Sequence, residues 1–219
     1  GTPKTFTYTV NPTATVNPVA NQVVCNGAAT TAVNFTSPTT GGTIVYNWTN
    51  DQPSIGLAAS GSGNIASFTA VNVTNAPVVA TITVTPAYTN GAVTCNGTPI
   101  SFTITVNPPP VVNPVASQVV CNGAPTANIN FTTPVSGGTA VYNWTNNTPS
   151  IGLAAACTGD ILSFNATNAT NAPVVATITV TMDYTNGGIT CVSLPVTFTI
   201  TANPTPTVNQ PANQLVCAN

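Results

Sequence analysis

The chain repeats itself with a period of 96 residues: Cys25 recurs as Cys121 and Cys217, the run Tyr46-Asn47-Trp48-Thr49-Asn50 recurs at 142–146, and Ala76-Pro77-Val78-Val79 recurs at 172–175. A period this long is a whole small domain rather than one turn of a solenoid. About two-thirds of the positions in 11–106 are identical in 107–202. The repeat divides the chain into 1–10, read as the last strand of a preceding copy, two complete copies at 11–106 and 107–202, and 203–219, read as the start of a following one. The chain is therefore expected to be a window on a longer array.

Within a copy the signals are those of strands. β-branched residues abound, Pro and Gly recur every few positions, and no segment keeps apolar residues at helical spacing. Period-two runs occur at 33–36, 44–49, 66–70, 79–85 and 100–106, and the segment before Cys25 adds a first strand. Ile82 and Val84, Phe102, Ile104 and Val106, and Ile44, Tyr46 and Trp48 are expected to point inward, with Thr81, Thr83, Thr103 and Thr105 outward. Asn-Gly pairs such as Asn26-Gly27 and Asn90-Gly91 supply turns. About seven short strands at this spacing predict an all-β, two-layered sandwich of antiparallel sheets, with Trp48 and Trp144 as central core aromatics. Successive copies meet at Val10-Asn11-Pro12 and Val106-Asn107-Pro108-Pro109-Pro110, where a last strand runs into proline. Such extended joints predict domains lined up end to end as a stiff rod.

Charge excludes several functions. One Lys and three Asp are the acidic and basic side chains, with no His. Neutralising phosphates takes several Lys or Arg, so nucleic acid is not an expected partner, and a polybasic membrane-surface role fails for the same reason. No stretch approaches the ~20 apolar residues a bilayer requires, so no membrane insertion is expected in this segment. Catalysis has little to work with, because Asp51, Asp160 and Asp183 align with Asn147, Asn64 and Ala87 in the other copy and form no repeated acid–base pair. No enzyme activity, cofactor or metal site is expected. Asn-x-Thr sequons are numerous, Asn34, Asn72 and Asn168 among them, as chance provides in a chain so rich in Asn and Thr.

Each copy has a cysteine near its start and another near its end, Cys25 with Cys95 and Cys121 with Cys191, 70 residues apart. Recurrence at fixed spacing without a His or acidic cluster favours one structural disulfide per copy, each contributing roughly 4 kcal/mol. Cys217 would then take a partner outside the chain, and Cys157, standing where the first copy has Gly61, is the odd one out, either an unpaired thiol or the site of an intermolecular cross-link. Tyr88 and Tyr184 are the repeated aromatics that an exposed glycan-stacking platform would use; packing at the sandwich edge is the competing reading.

The Val-Asn-Pro joints, Asn-Gln-Val-Val-Cys-Asn-Gly at 21–27, Tyr-Asn-Trp-Thr-Asn at 46–50, Pro-Ser-Ile-Gly-Leu-Ala at 53–58 and Ala-Thr-Ile-Thr-Val-Thr-Pro at 80–86 resemble the PKD-like, immunoglobulin-type repeats of giant surface adhesins of gliding Bacteroidota. The resemblance implies an extracellular filament exported by type IX secretion, attached at the outer membrane and serving adhesion and gliding. It implies partners reached through other parts of the protein: surface polysaccharide or another substratum at one end, and the outer-membrane gliding and secretion machinery at the other. Two roles compete for the repeats themselves, structural stalk and multivalent glycan binder.

Overall fold

The structure, a computed structural model, describes residues 1–217. The last two positions of the expected partial copy lie outside the described residues. The chain is all-β, with two six-stranded mixed sheets of the same strand order. In the first, β1 (Gln22–Cys25), β2 (Thr43–Asn50), β3 (Ser60–Ser62), β4 (Val78–Asn90), β5 (Val93–Asn96) and β6 (Ile100–Asn107) run β1-β6-β4-β2-β3, with β5 extending the end of β4. The second repeats the order with β7 (Gln118–Cys121), β8 (Thr139–Asn146), β9 (Ala156–Thr158), β10 (Val174–Asn186), β11 (Ile189–Val192) and β12 (Val196–Asn203).

β4 is the spine of the first sheet. Its Thr-apolar alternation buries Ala80, Ile82 and Val84 and leaves Thr81, Thr83 and Thr85 partly exposed. One half pairs with β6, from Val78↔Val106 to Val84↔Ile100, and the other half with β5, where Tyr88 faces Cys95. β2 lies along its other side, Trp48 opposite Val84. Apart from Ile44, which is half-buried and outside it, the inward rows read from periodicity pack as one cluster in which Ile82 and Ile104 are fully buried, each stabilising the fold by about 1.5–3 kcal/mol. Phe35 stacks on Tyr46 and Phe102, with ring centroids 5.5 and 6.4 Å apart, and Phe131 repeats these distances with Tyr142 and Phe198.

Three expectations need correction. The sheets are mixed, because β1 joins β6 in parallel, from Gln22↔Ile104 to Cys25↔Asn107, and β7 joins β12 likewise. The runs at 33–36 and 66–70 form no strands but face each other through isolated bridges, Ala29↔Thr69 and Val33↔Ile65. Their rungs are intercepted by side chains: Phe35 N–H donates to Asn64 Oδ1 (2.9 Å), Phe68 N–H to Thr30 Oγ1 (3.1 Å), and Ser67 Oγ to the Thr30 carbonyl (2.6 Å). Short polar side chains compete with the ladder in this way, yet Val33, Phe35, Ile65 and Ala70 still cover the sheet, an arrangement consistent with a β-sandwich. Residues 1–10 form no strand with either sheet.

By compactness the chain divides into two units. The first comprises 1–110 together with 135–139 and 184–191; the second holds 111–134, 140–183 and the chain from Val192 onward. The boundary thus departs from the sequence period, and the first unit incorporates the tip of the β10–β11 hairpin.

Candidate functional site

The covalent feature of the first unit is a disulfide between Cys25, on β1, and Cys191, on β11, 166 residues apart in sequence with a Cα separation of 5.7 Å. Cys25 sits at the end of β1 beside Asn107. Asn107, the last residue of β6, is fully buried and exchanges hydrogen bonds with the hairpin residue Asn186: its Nδ2 donates to the Asn186 carbonyl (3.2 Å), and Asn186 Nδ2 donates to its Oδ1 (2.8 Å). Gly187, at φ +58°, turns the hairpin where a Cβ would stand 2.9 Å from Val23. Nearby, Ser136 N–H donates to the Asn75 carbonyl (2.8 Å). The cystine and the close-packed turn join residues of the first and second copies of the sequence repeat, and the amide pair holds the same hairpin to the end of β6.

This overturns the expected pairing of Cys25 with Cys95 and of Cys121 with Cys191; Cys95 and Cys121 are free thiols. The reason lies in the register of β4. Cys25 lies beside Asn107, whose neighbour Val106 pairs with Val78, whereas Cys95 pairs with Tyr88, ten residues further along β4. At about 3.3 Å per residue the two cysteines stand at opposite ends of the sheet, some 33 Å apart, and a disulfide tolerates no more than about 7 Å between Cα atoms. The second sheet has the same strand order, and it separates Cys121 from Cys191 in the same way. Cys157 and Cys217 are also free and exposed.

Tyr88 and Tyr184 are not surface platforms. Both are buried, and their hydroxyls donate to the Thr40 carbonyl (3.3 Å) and the Ser136 carbonyl (2.8 Å). Burial raises the phenols of Tyr46, Tyr142 and Tyr184 above their ordinary value of 10.0, and the Asp160 carboxylate adds to the rise at Tyr142. Because the folded-state values are raised, the stabilisation they confer is complete below about pH 10 and is lost as pH climbs through them. The melting temperature is expected to hold steady around neutrality, where no histidine titrates, and to fall above about pH 10. Thermal scans across that range check it; a neutral-range transition would contradict it.

The three acids serve as backbone and amide acceptors. Asp51 Oδ1 accepts from Thr81 N–H at 2.7 Å, and its counterpart Asn147 accepts from Thr177 N–H at 2.8 Å. Asp160 caps Phe131 N–H at 2.9 Å just as Asn64 caps Phe35 N–H at 2.9 Å, while Asp183 accepts from Asn143 Nδ2 at 3.0 Å. An amide performs the same task wherever it replaces Asp51 or Asp160, so the shared property is the acceptor oxygen rather than charge.

Trp48 and Trp144 are buried, each facing the short third strand, Trp48 opposite Gly61 and Trp144 opposite Cys157. A Cβ at Gly61 would overlap the Trp48 ring, whose Nε1 is buried without a partner. In the second copy the Cys157 side chain occupies that space and Trp144 Nε1 donates to the Gly159 carbonyl at 3.1 Å. Gly61→Cys is therefore expected to swing the Trp48 indole toward the Gly63 carbonyl. The hydrogen bond gained, worth about 1 kcal/mol, offsets the crowding, leaving stability within about 1 kcal/mol of the parent. Urea denaturation measures this; a loss of about 3 kcal/mol, as simple overpacking gives, would refute it.

Open depressions recur in both copies. One, 370 Å³ in the first copy, lies between residues 18–22 and 31–34; its counterpart of 580 Å³ is lined by Pro114, Gln118 and Asn130 among others. Neither is lined by an aromatic or charged side chain, whereas a second pair, of 470 and 460 Å³, lies beside Trp48 and Trp144, whose indoles are themselves buried. Among the described residues no group of three His, Cys, Asp or Glu is placed to hold a metal ion, and no helix is long and apolar enough to cross a membrane. No protein-family model matches this sequence, and no curated protein is similar to it.

Proposed function

We propose that the chain is a stretch of structural stalk from a long extracellular filament that projects an adhesive end from a bacterial surface, its repeats being PKD-like or immunoglobulin-like domains arranged end to end. The observation that carries the reading is the cystine between sequence copies. It spans 166 residues and so fastens one copy to the next, which suits a string of domains under tension, and such a bond forms in an oxidising compartment outside the cell. The near absence of charge supports a surface indifferent to salt, and the acids, used as neutral-equivalent acceptors, leave no residue set aside for catalysis. Attachment and gliding motility are the processes this stalk serves, with type IX secretion as the export route. Polysaccharide or substratum and the outer-membrane machinery are its partners through parts beyond this segment. The burial of Tyr88 and Tyr184, and of the Trp48 and Trp144 indoles, weighs against the copies themselves binding glycan.

Immunogold labelling of intact cells with antibody against residues 11–202 tests the proposal. Label spaced along fibres that emerge from the surface is the expected result. Label confined to the cell interior, or retention of the purified chain on a glycan array at micromolar concentration, would overturn it.

A further inference from the structure

The two cysteines of a copy stand at opposite ends of its sheet, and this makes each sheet directional. Cys121 occupies the place in the second sheet that Cys25 occupies in the first: it pairs with Asn203, the last residue of β12, and Asn122 N–H donates to the Asn203 carbonyl at 2.8 Å as Asn26 N–H does to Asn107 at 3.0 Å. Cys95 occupies the place of Cys191, on a hairpin whose Asn90 Nδ2 donates to Asn11 Oδ1 at 3.1 Å, as Asn186 does to Asn107. Asn11 thus stands where the last residue of a preceding sheet would stand. Both thiols are free, Cys121 exposed and Cys95 partly so.

From this we infer that Cys121 and Cys95 are complementary halves of a further copy-to-copy cystine, so that a second copy of this chain, docking its β4–β5 hairpin at the Cys121–Asn203 end of the first, forms a Cys121–Cys95 bond in the image of Cys25–Cys191. Within a longer array the same positions close every joint in turn; the inference rests on reading the chain as part of such an array. In the docked pair Asn203 of one chain takes the place of Asn11 at Asn90 of the other, and residues 1–10, which hold no strand pairing, have none to lose. The chemistry is oxidation of two thiols by thiol–disulfide exchange: they give up two electrons and two protons to a small-molecule disulfide, whose S–S bond breaks to release two thiols while one protein S–S bond forms.

The test is to hold the concentrated full chain in a redox buffer of a small-molecule disulfide and its thiol, and to resolve the products without reductant. Each of the six cysteines falls in its own fragment when the chain is cut after Phe, Tyr and Trp. A ladder of oligomers is expected, with fragment 89–102 joined to 103–131. Cys95→Ser and Cys121→Ser should each abolish the ladder, whereas Cys157→Ser and Cys217→Ser should leave it intact. A ladder that survives Cys95→Ser or Cys121→Ser, or no ladder while fragments 9–35 and 185–198 are joined, would overturn the inference, as would the absence of that latter linkage. A chain that forms this bond yet never reaches a cell surface would sink the proposed function and leave this inference standing.

Discussion

Pulled by its two ends with the cystine intact, the chain will reach a final contour length about 580 Å shorter than the reduced chain does, the extended length of 166 residues at ~3.5 Å each. Tension entering at Gly1 passes to Cys25, crosses the disulfide to Cys191 and leaves through β12. Everything from residue 26 to residue 190 lies off the covalently loaded path, so β4 and β10, the spines of both sheets, are not stretched from end to end. Reduction puts them back in line. Closing a loop of this length also constrains the unfolded ensemble by about 5 kcal/mol on the chain-entropy account, so the reduced first unit is expected to melt at a lower temperature. Single-molecule extension with and without reductant reads the difference directly. Equal contour lengths would mean that the cystine does not span the two copies.

The largest effect of a point substitution is expected at Asn72 and its counterpart Asn168. Asn72 is buried and spends its whole side chain on hydrogen bonds: Nδ2 donates to the carbonyls of Ala76 (2.9 Å) and Val106 (2.8 Å), while Oδ1 accepts from Thr74 N–H (2.9 Å) and Thr74 Oγ1 (2.8 Å). Asn168 repeats the set with Ala172, Ala202 and Thr170. These amides tie the loop before β4 to the end of β6, and the loop before β10 to the end of β12. Truncating either to alanine removes the donor to a buried carbonyl, that of Val106 or Ala202, together with the acceptor that holds the Thr74 or Thr170 turn, at a cost of about 3 kcal/mol. Denaturant midpoints should fall for Asn72→Ala and Asn168→Ala alike, and a change under about 1 kcal/mol would show that water or a relaxed loop takes over the bonds. Because Nδ2 of each is engaged in the folded state, neither sequon is open to glycosylation there.

Much of the fold was legible because strand periodicity and burial are the same fact seen twice. The Thr-apolar alternation at 79–85 and 100–106 marked the inward faces of β4 and β6 correctly, and the strand before Cys25 appeared where expected. The second layer was harder to read, since Asn64, Thr30 and Ser67 substitute side-chain oxygens for ladder rungs, and alternation alone does not reveal which polar groups will bond backbone. Cystine pairing was hidden for a different reason. An early cysteine bonded to the late cysteine of its own copy, or to that of the next, leaves the same 96-residue periodicity in sequence; the choice depends on strand register along β4, which spacing does not encode. Tyr88 and Tyr184 were ambiguous because an aromatic beside an Asn-Gly turn serves equally as platform or plug, and the carbonyls of Thr40 and Ser136 that accept their hydroxyls lie 48 residues away in the chain.

The most direct test of the account is the identity of the partner of Cys25 in the oxidised protein. Trypsin has one lysine to cut at, but cleavage after aromatic residues isolates Cys25 in fragment 9–35, Cys95 in 89–102, Cys121 in 103–131 and Cys191 in 185–198. Mass spectrometry of the unreduced digest should find 9–35 joined to 185–198. Finding 9–35 joined to 89–102, with 103–131 joined to 185–198, would place each disulfide inside its own copy and contradict the account.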